Sequence, residues 1–107
     1  MSSTTSRWVS VARASDIAVG ESRIVRVGDV PLAVFHLDDG WYAIEDVCTH
    51  DGGPLAEGRL EGCIIECPRH GATFNVKTGA ALTFPGVSPV STYAVRVVGD
   101  DVQLEWS

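Results

Sequence analysis

Cys48-Thr49-His50 and, further on, Cys67-Pro68-Arg69-His70 are the two stretches on which the reading of this chain turns. Each supplies one thiol and one imidazole, in the same order. Four such side chains make a complete ligand set for a transition metal or an iron–sulfur cluster. The chain holds three cysteines and three histidines in all. Two of each falling into paired motifs is not the pattern of scattered core residues. Zinc is one reading, because two cysteines with two histidines are a common zinc set. Zinc motifs, however, usually keep the cysteines in one half and the histidines in the other. Here both halves are mixed. A mixed half suits a two-iron, two-sulfur (2Fe-2S) cluster, to which each loop delivers one residue per iron. Cys48 and Cys67 then hold one iron, and His50 and His70 hold the other.

Around these motifs the chain reads as one small globular domain. It has 107 residues, 45% of them hydrophobic and 21% charged, which is ordinary for a soluble fold with a real core. The net charge of −6 speaks against nucleic acid, whose phosphates would be repelled. It suits docking onto basic protein surfaces, and equally it suits mere solubility. Residues 1–6 are polar and carry no apolar signal-peptide core. No apolar run approaches the roughly 18 residues of a membrane helix. With Cys48 and Cys67 assigned, Cys63 has no disulfide partner, which fits a reducing cytoplasm. Cys63 sits in the apolar run Cys63-Ile64-Ile65 and reads as a small buried hydrophobe.

Nearly every segment predicts a strand. Residues 7–12 come first, then a polar turn over 15–21. Strands over 22–27 and 30–37 are joined at Gly28-Asp29, and Asp38-Asp39-Gly40 leads into 41–44. After the first ligand loop, residues 59–66 form a short hairpin around Glu61-Gly62. After the second, 73–76 is a strand and Lys77-Thr78-Gly79 a turn. Residues 92–98 and 102–106 close the chain as a hairpin across Gly99-Asp100-Asp101. Glycine and aspartate mark the turns because they accept positive φ or bond their own backbone. Many short strands with regular turns predict an all-β, antiparallel barrel or sandwich. The expected layout is a base of residues 1–45 and 77–107 carrying a small cluster-binding lobe, residues 46–76. His36 lies in the alternating strand 30–37 without a partner at ligand spacing, so it reads as a surface or satisfied strand residue rather than a ligand.

Cys48-Thr49-His50-Asp51-Gly52-Gly53-Pro54-Leu55, followed by Glu66-Cys67-Pro68-Arg69-His70-Gly71, resembles the Rieske ferredoxins. Phe74-Asn75-Val76-Lys77-Thr78-Gly79, the Pro85 and Pro89 stretch and Tyr93-Ala94-Val95 are similar too. The likeness covers most of the chain and is most specific between residues 45 and 80. It is strongest to the small ferredoxins of bacterial ring-hydroxylating dioxygenase systems. The resemblance implies a Rieske-type fold and a one-electron carrier that is not itself an enzyme. Its partners would be a flavin-dependent NAD(P)H reductase and a terminal oxygenase. It would be cytoplasmic and monomeric when alone. The resemblance also puts the two histidines on the outer iron, near the partner, with Arg69 close to the docking face. The segment from Pro85 to Pro89 would close over the cluster.

Departures matter as well. Respiratory members of the family carry an extra cysteine in each ligand loop, joined as a disulfide; here Gly53 and Arg69 stand there. They also carry a serine and a tyrosine whose hydroxyls donate toward the sulfurs, where this chain has Ala72 and Phe74. Fewer donors mean less stabilisation of the added electron. This predicts a potential toward the bottom of the roughly −150 to +300 mV Rieske range. Rival readings are a ferredoxin serving a different oxygenase, the small Rieske-like subunit of an assimilatory nitrite reductase, and a structural zinc domain.

Overall fold

The structure, a computed structural model, describes residues 7–47, 54–68, 71–82 and 88–106. Its strands begin with β1 (Arg7–Arg13), β2 (Glu21–Val27), β3 (Val30–Leu37) and β4 (Gly40–Glu45). Then come β5 (Arg59–Glu61), β6 (Ile64–Glu66) and β7 (Thr73–Asn75), and last β8 (Thr92–Tyr93), β9 (Val95–Val98) and β10 (Asp101–Trp106). All strand pairs are antiparallel and fall into three sheets, ordered β1-β10-β9, β2-β3-β4-β8 and β5-β6-β7. A single 3-10 turn, Ala14–Asp16, joins β1 to β2. Among the described residues no helix is long and apolar enough to cross a membrane.

Three of the hairpin turns fall at the expected glycine and aspartate stretches, whereas the β5–β6 turn is shifted by one residue, to Gly62-Cys63. Val27 pairs with Val30 across Gly28-Asp29, and Leu37 pairs with Gly40 across Asp38-Asp39. Asp101 pairs with Val98 across Gly99-Asp100. Gly28 and Gly99 have φ of +60° and +63°, the left-handed conformation that a two-residue hairpin needs and that other residues resist.

The middle of the fold is the β3–β4 hairpin, and here one expectation needs correction. Strand 30–37 was expected to alternate between a buried and a wet face. Instead Leu32, Ala33, Val34 and Phe35 are all fully buried. Leu32 and Val34, with Ala43 of β4, pack into one core with Val27, Ile17, Val102 and Leu104. Ala33, Phe35 and Leu37, with Ile44, pack into a second core with Leu55, Ile65, Cys67, Phe74 and Val76. The hairpin is therefore covered on both faces, by β1-β10-β9 on one and β5-β6-β7 on the other. That is why residues 30–35 form a continuous apolar run.

The segment 92–98 is also not one strand. It breaks at Ala94: β8 pairs with β4 and β9 pairs with β10. The chain thereby passes from the central sheet to the outer one and closes a corner of the base, as strands do where two sheets meet.

Candidate metal centre

The first ligand loop leaves the end of β4, where three hydrogen bonds fix the backbone. Glu45 N–H donates to Ser91 O, Asp46 N–H to Pro31 O and Val47 N–H to Glu45 O, each at 2.9 Å. Asp46 is 4% exposed and is the one buried charged side chain among the described residues. A buried carboxyl is costly unless its oxygens are bonded. Its Oδ1 accepts from two backbone donors across the loop, Leu55 N–H at 2.8 Å and Ala56 N–H at 2.7 Å. Both ends of the segment 47–54 are thus held by a single side chain. Leu55 itself is fully buried in the second core.

The second ligand loop leaves the end of β6. Cys67 is 1% exposed and lies in the apolar core beside Ala72, Phe74 and Leu55. Its N–H donates to Ala72 O at 2.7 Å and its carbonyl accepts from Gly71 N–H at 3.1 Å. The loop that carries residues 69 and 70 is closed at its base by these two bonds. Gly71 has φ of +76°, which favours glycine at this turn.

The two loops are not independent. Leu55 O accepts from Gly58 N–H at 2.9 Å, so residues 55–58 form a turn. Gly58 lies flat against the end of β6. A Cβ built on it would fall 1.6 Å from Glu66 O and 3.1 Å from Pro68 Cδ. The exit of the first loop is therefore packed backbone to backbone on the entrance of the second.

A third segment is anchored close by. Val90 N–H donates to Gly79 O at 2.9 Å, and Leu82 N–H donates to Thr73 O at 2.8 Å. These bonds hold one flank of residues 83–89 on β7 and the other on the turn that follows it. Pro85 lies outside the described residues.

His36 is not drawn into the candidate site. His36 Nδ1 lies 2.8 Å from Ile17 O, and its ring stacks on Trp41 with centroids 3.8 Å apart. It is a bonded, stacked strand residue. Cys63 is not in a strand but in the turn between β5 and β6, and it is half-buried rather than buried. Its side chain lines an open cleft of about 340 Å³ with Val19, Leu37, Leu60 and Lys77. The Lys77 ammonium bonds Asp39 Oδ2, while Tyr42 donates to Asp39 Oδ1 at 3.2 Å. The bond from Lys77 holds the Asp39 carboxyl below its ordinary value, and in return raises Lys77. The pair is exposed, so it fixes the turn more than it stabilises the fold.

Of the four ligands expected from sequence, Cys67 is described; Cys48, His50 and His70 lie outside the described residues, as does Arg69. The residues that are described fit a 2Fe-2S cluster. A thiol sheltered from water suits a soft metal. It stands at the mouth of a loop closed by its own backbone, next to a second loop clamped at both ends. Sequence reading missed Asp46 and Gly58. Asp46 follows a strand and reads as a turn former. Gly58 lies between Glu57 and Arg59 and reads as a surface turn. Neither a buried carboxyl nor a backbone contact eight residues away has a local signature.

Comparison with known proteins agrees with this geometry. Residues 7–94 match the family described as the Rieske [2Fe-2S] domain. The chain is 46% identical over 98 residues to ferredoxin CarAc of Metapseudomonas resinovorans, covering 91% of this chain and 92% of that one. It is 38% identical over 92 residues to the 3-phenylpropionate/cinnamic acid dioxygenase ferredoxin subunit of Escherichia coli strain K12, covering 85% and 86%. Among solved structures it superposes with a TM-score of 0.84 and 45% identity on a chain from a complex of reduced oxygenase and oxidised ferredoxin in carbazole 1,9a-dioxygenase. That match covers 91% of both chains.

Proposed function

Since the chain belongs to the Rieske 2Fe-2S family, as a ferredoxin rather than an enzyme, we propose how it holds its cluster and which proteins it serves. Cys48 and Cys67 hold one iron, and His50 and His70 hold the other. When bound, the cluster takes up and releases one electron at a time. The observation that carries this assignment is the burial of the Cys67 thiol at the mouth of its closed loop. The rest of the chain provides shelter and position. The second core excludes water from the thiolate side. The hydrogen bonds at the loop bases fix where the ligands start.

The electron enters from a flavin-dependent NAD(P)H reductase and leaves to a terminal oxygenase. The likeness to a ferredoxin seen in complex with its oxygenase supports the second partner. The net charge of −6 favours encounter with basic surfaces on both. The protein works as a monomer in the cytoplasm. Its base is residues 1–45 and 77–107, and its cluster lobe is residues 46–76. In support of that division, β5, β6 and β7 all lie between residues 59 and 75.

The test is anaerobic reconstitution followed by metal and sulfide analysis. Two irons and two acid-labile sulfides per chain are expected, with loss of both in Cys67→Ser and His70→Ala. Stoichiometric zinc in a colourless protein would overturn the assignment. Turnover of an aromatic-ring oxygenase that depends on added ferredoxin and reductase tests the partners.

A further inference from the structure

We propose that Asp46 and Gly58 form a registration device that sets the two ligand loops against each other. The proposal rests on the ligand assignment above and deepens it. Neither residue is a ligand; both are positioning residues.

The chain of contact is continuous through described atoms. Asp46 is held from behind, because its N–H bonds Pro31 O of β3. Its Oδ1 reaches forward to Leu55 N–H and Ala56 N–H. Leu55 O takes Gly58 N–H, which completes the 55–58 turn. Gly58 then rests on Glu66 O, with no room for a methyl group. Glu66 is the residue before Cys67. A displacement at either Asp46 or Gly58 therefore reaches the start of both ligand-bearing segments. Backbone packed this closely has no soft side chain to absorb a shift.

The two contacts fail in different ways. Removing the Asp46 acceptor leaves two backbone donors without it, at a site from which water is largely excluded. Adding a methyl group to Gly58 pushes the end of β6 away. Gly62 supplies the control: it lies in the same lobe, has φ of +61°, and a Cβ there meets nothing within 4 Å. Gly62→Ala strains the backbone without moving the loops.

The experiment uses the reconstituted full chain and reads two properties. One is the lifetime of the cluster in the presence of an iron chelator. The other is the visible-region circular dichroism and the electron paramagnetic resonance g values of the reduced form, which report ligand geometry rather than overall stability. Asp46→Ala and Gly58→Ala are expected to shorten the lifetime at least tenfold, a factor corresponding to about 1.4 kcal/mol. Both should alter the visible dichroism and g values while the far-ultraviolet spectrum stays at wild type. Asp46→Asn keeps an Oδ1 acceptor and should recover the wild-type lifetime to within about threefold, as should Gly62→Ala.

Wild-type lifetime and spectra in both Asp46→Ala and Gly58→Ala would overturn the proposal and leave the ligand assignment standing. Equal damage from Asp46→Asn and Asp46→Ala would overturn the acceptor role of Asp46. If Asp46→Ala does not fold, a wild-type lifetime in Gly58→Ala overturns the proposal, and a shortened one beside a normal Asp46→Asn supports it. A wild-type chain that assembles no cluster overturns the ligand assignment itself, and this inference with it.

Discussion

Replacing Gly79 with alanine tests how the turn after β7 is held against Val90. Two separate costs can be worked out. Gly79 has φ of +80°, where alanine is disfavoured by about 1 kcal/mol or a little more. In addition, a Cβ at this position would lie 2.3 Å from Val90 O and 3.0 Å from Thr92 Cγ2. The Val90 oxygen is backbone and must move. That movement strains or breaks the bond from Val90 N–H to Gly79 O, worth about 1 kcal/mol. It also pulls the buried Val90 side chain from the second core. The total is roughly 2–3 kcal/mol. For a chain of this size it should lower the thermal midpoint by roughly 10 °C.

Gly20 separates the two costs. Its φ is +89°, and a Cβ there meets nothing within 4 Å. Gly20→Ala should therefore lose only the conformational part, about 1 kcal/mol. The assay is thermal unfolding of both variants and the wild type, all carrying the cluster and all scanned at one rate. The expected order is wild type, then Gly20→Ala, then Gly79→Ala, with the larger gap at the end. Equal midpoints for the two variants would refute the argument that Gly79 is needed for close approach to Val90.

Further outcomes are expected. Ala72→Ser adds a donor beside Cys67, where Ala72 is 5% exposed. It should raise the midpoint potential by about 60 mV if the new bond favours the reduced state by about 1.4 kcal/mol; a redox titration checks this, and no upward shift counts against it. Arg69→Glu should slow electron delivery to the oxygenase without bleaching the cluster, and stopped-flow mixing reads the rate; unchanged transfer removes Arg69 from the docking face. Asp101 Oδ2 accepts from Ser10 Oγ at 2.7 Å and Gln103 Nε2 at 2.8 Å, which together hold its carboxyl below the ordinary value of 3.8. The folded state thus binds this proton more weakly than the unfolded state. The contribution is present above the unfolded value and is lost as pH falls through the lowered folded one. Carbon NMR titration should find Asp101 lowered in the wild type and closer to normal in Ser10→Ala.

Much of this protein was legible because its signals are local. Hairpin turns are set by two or three residues whose φ preferences are their own, as at Gly28-Asp29 and Asp38-Asp39. Ligand motifs are equally compact: Cys67 and His70 are recognisable by type and spacing wherever the chain goes. The fold class followed from the same turns. Strand 92–98 was misread as continuous because nothing in Tyr93-Ala94-Val95 tells which sheet each half will join. Cys63 was misplaced by a single residue in the hairpin register, which moved it from a strand into a turn.

The sequence alone therefore decided the all-strand class and the position of the main turns, and it singled out the candidate ligand motifs, since each depends on the intrinsic chemistry of neighbouring residues. Tertiary structure alone decided that β3 is covered on both faces, that the Asp46 carboxyl is buried and that Gly58 has no space for a side chain. These depend on which distant backbone arrives alongside: β6 and β7 over Phe35, Leu55 over Asp46, Glu66 over Gly58. Burial and steric room are properties of the meeting of two segments, and neither segment carries them before they meet.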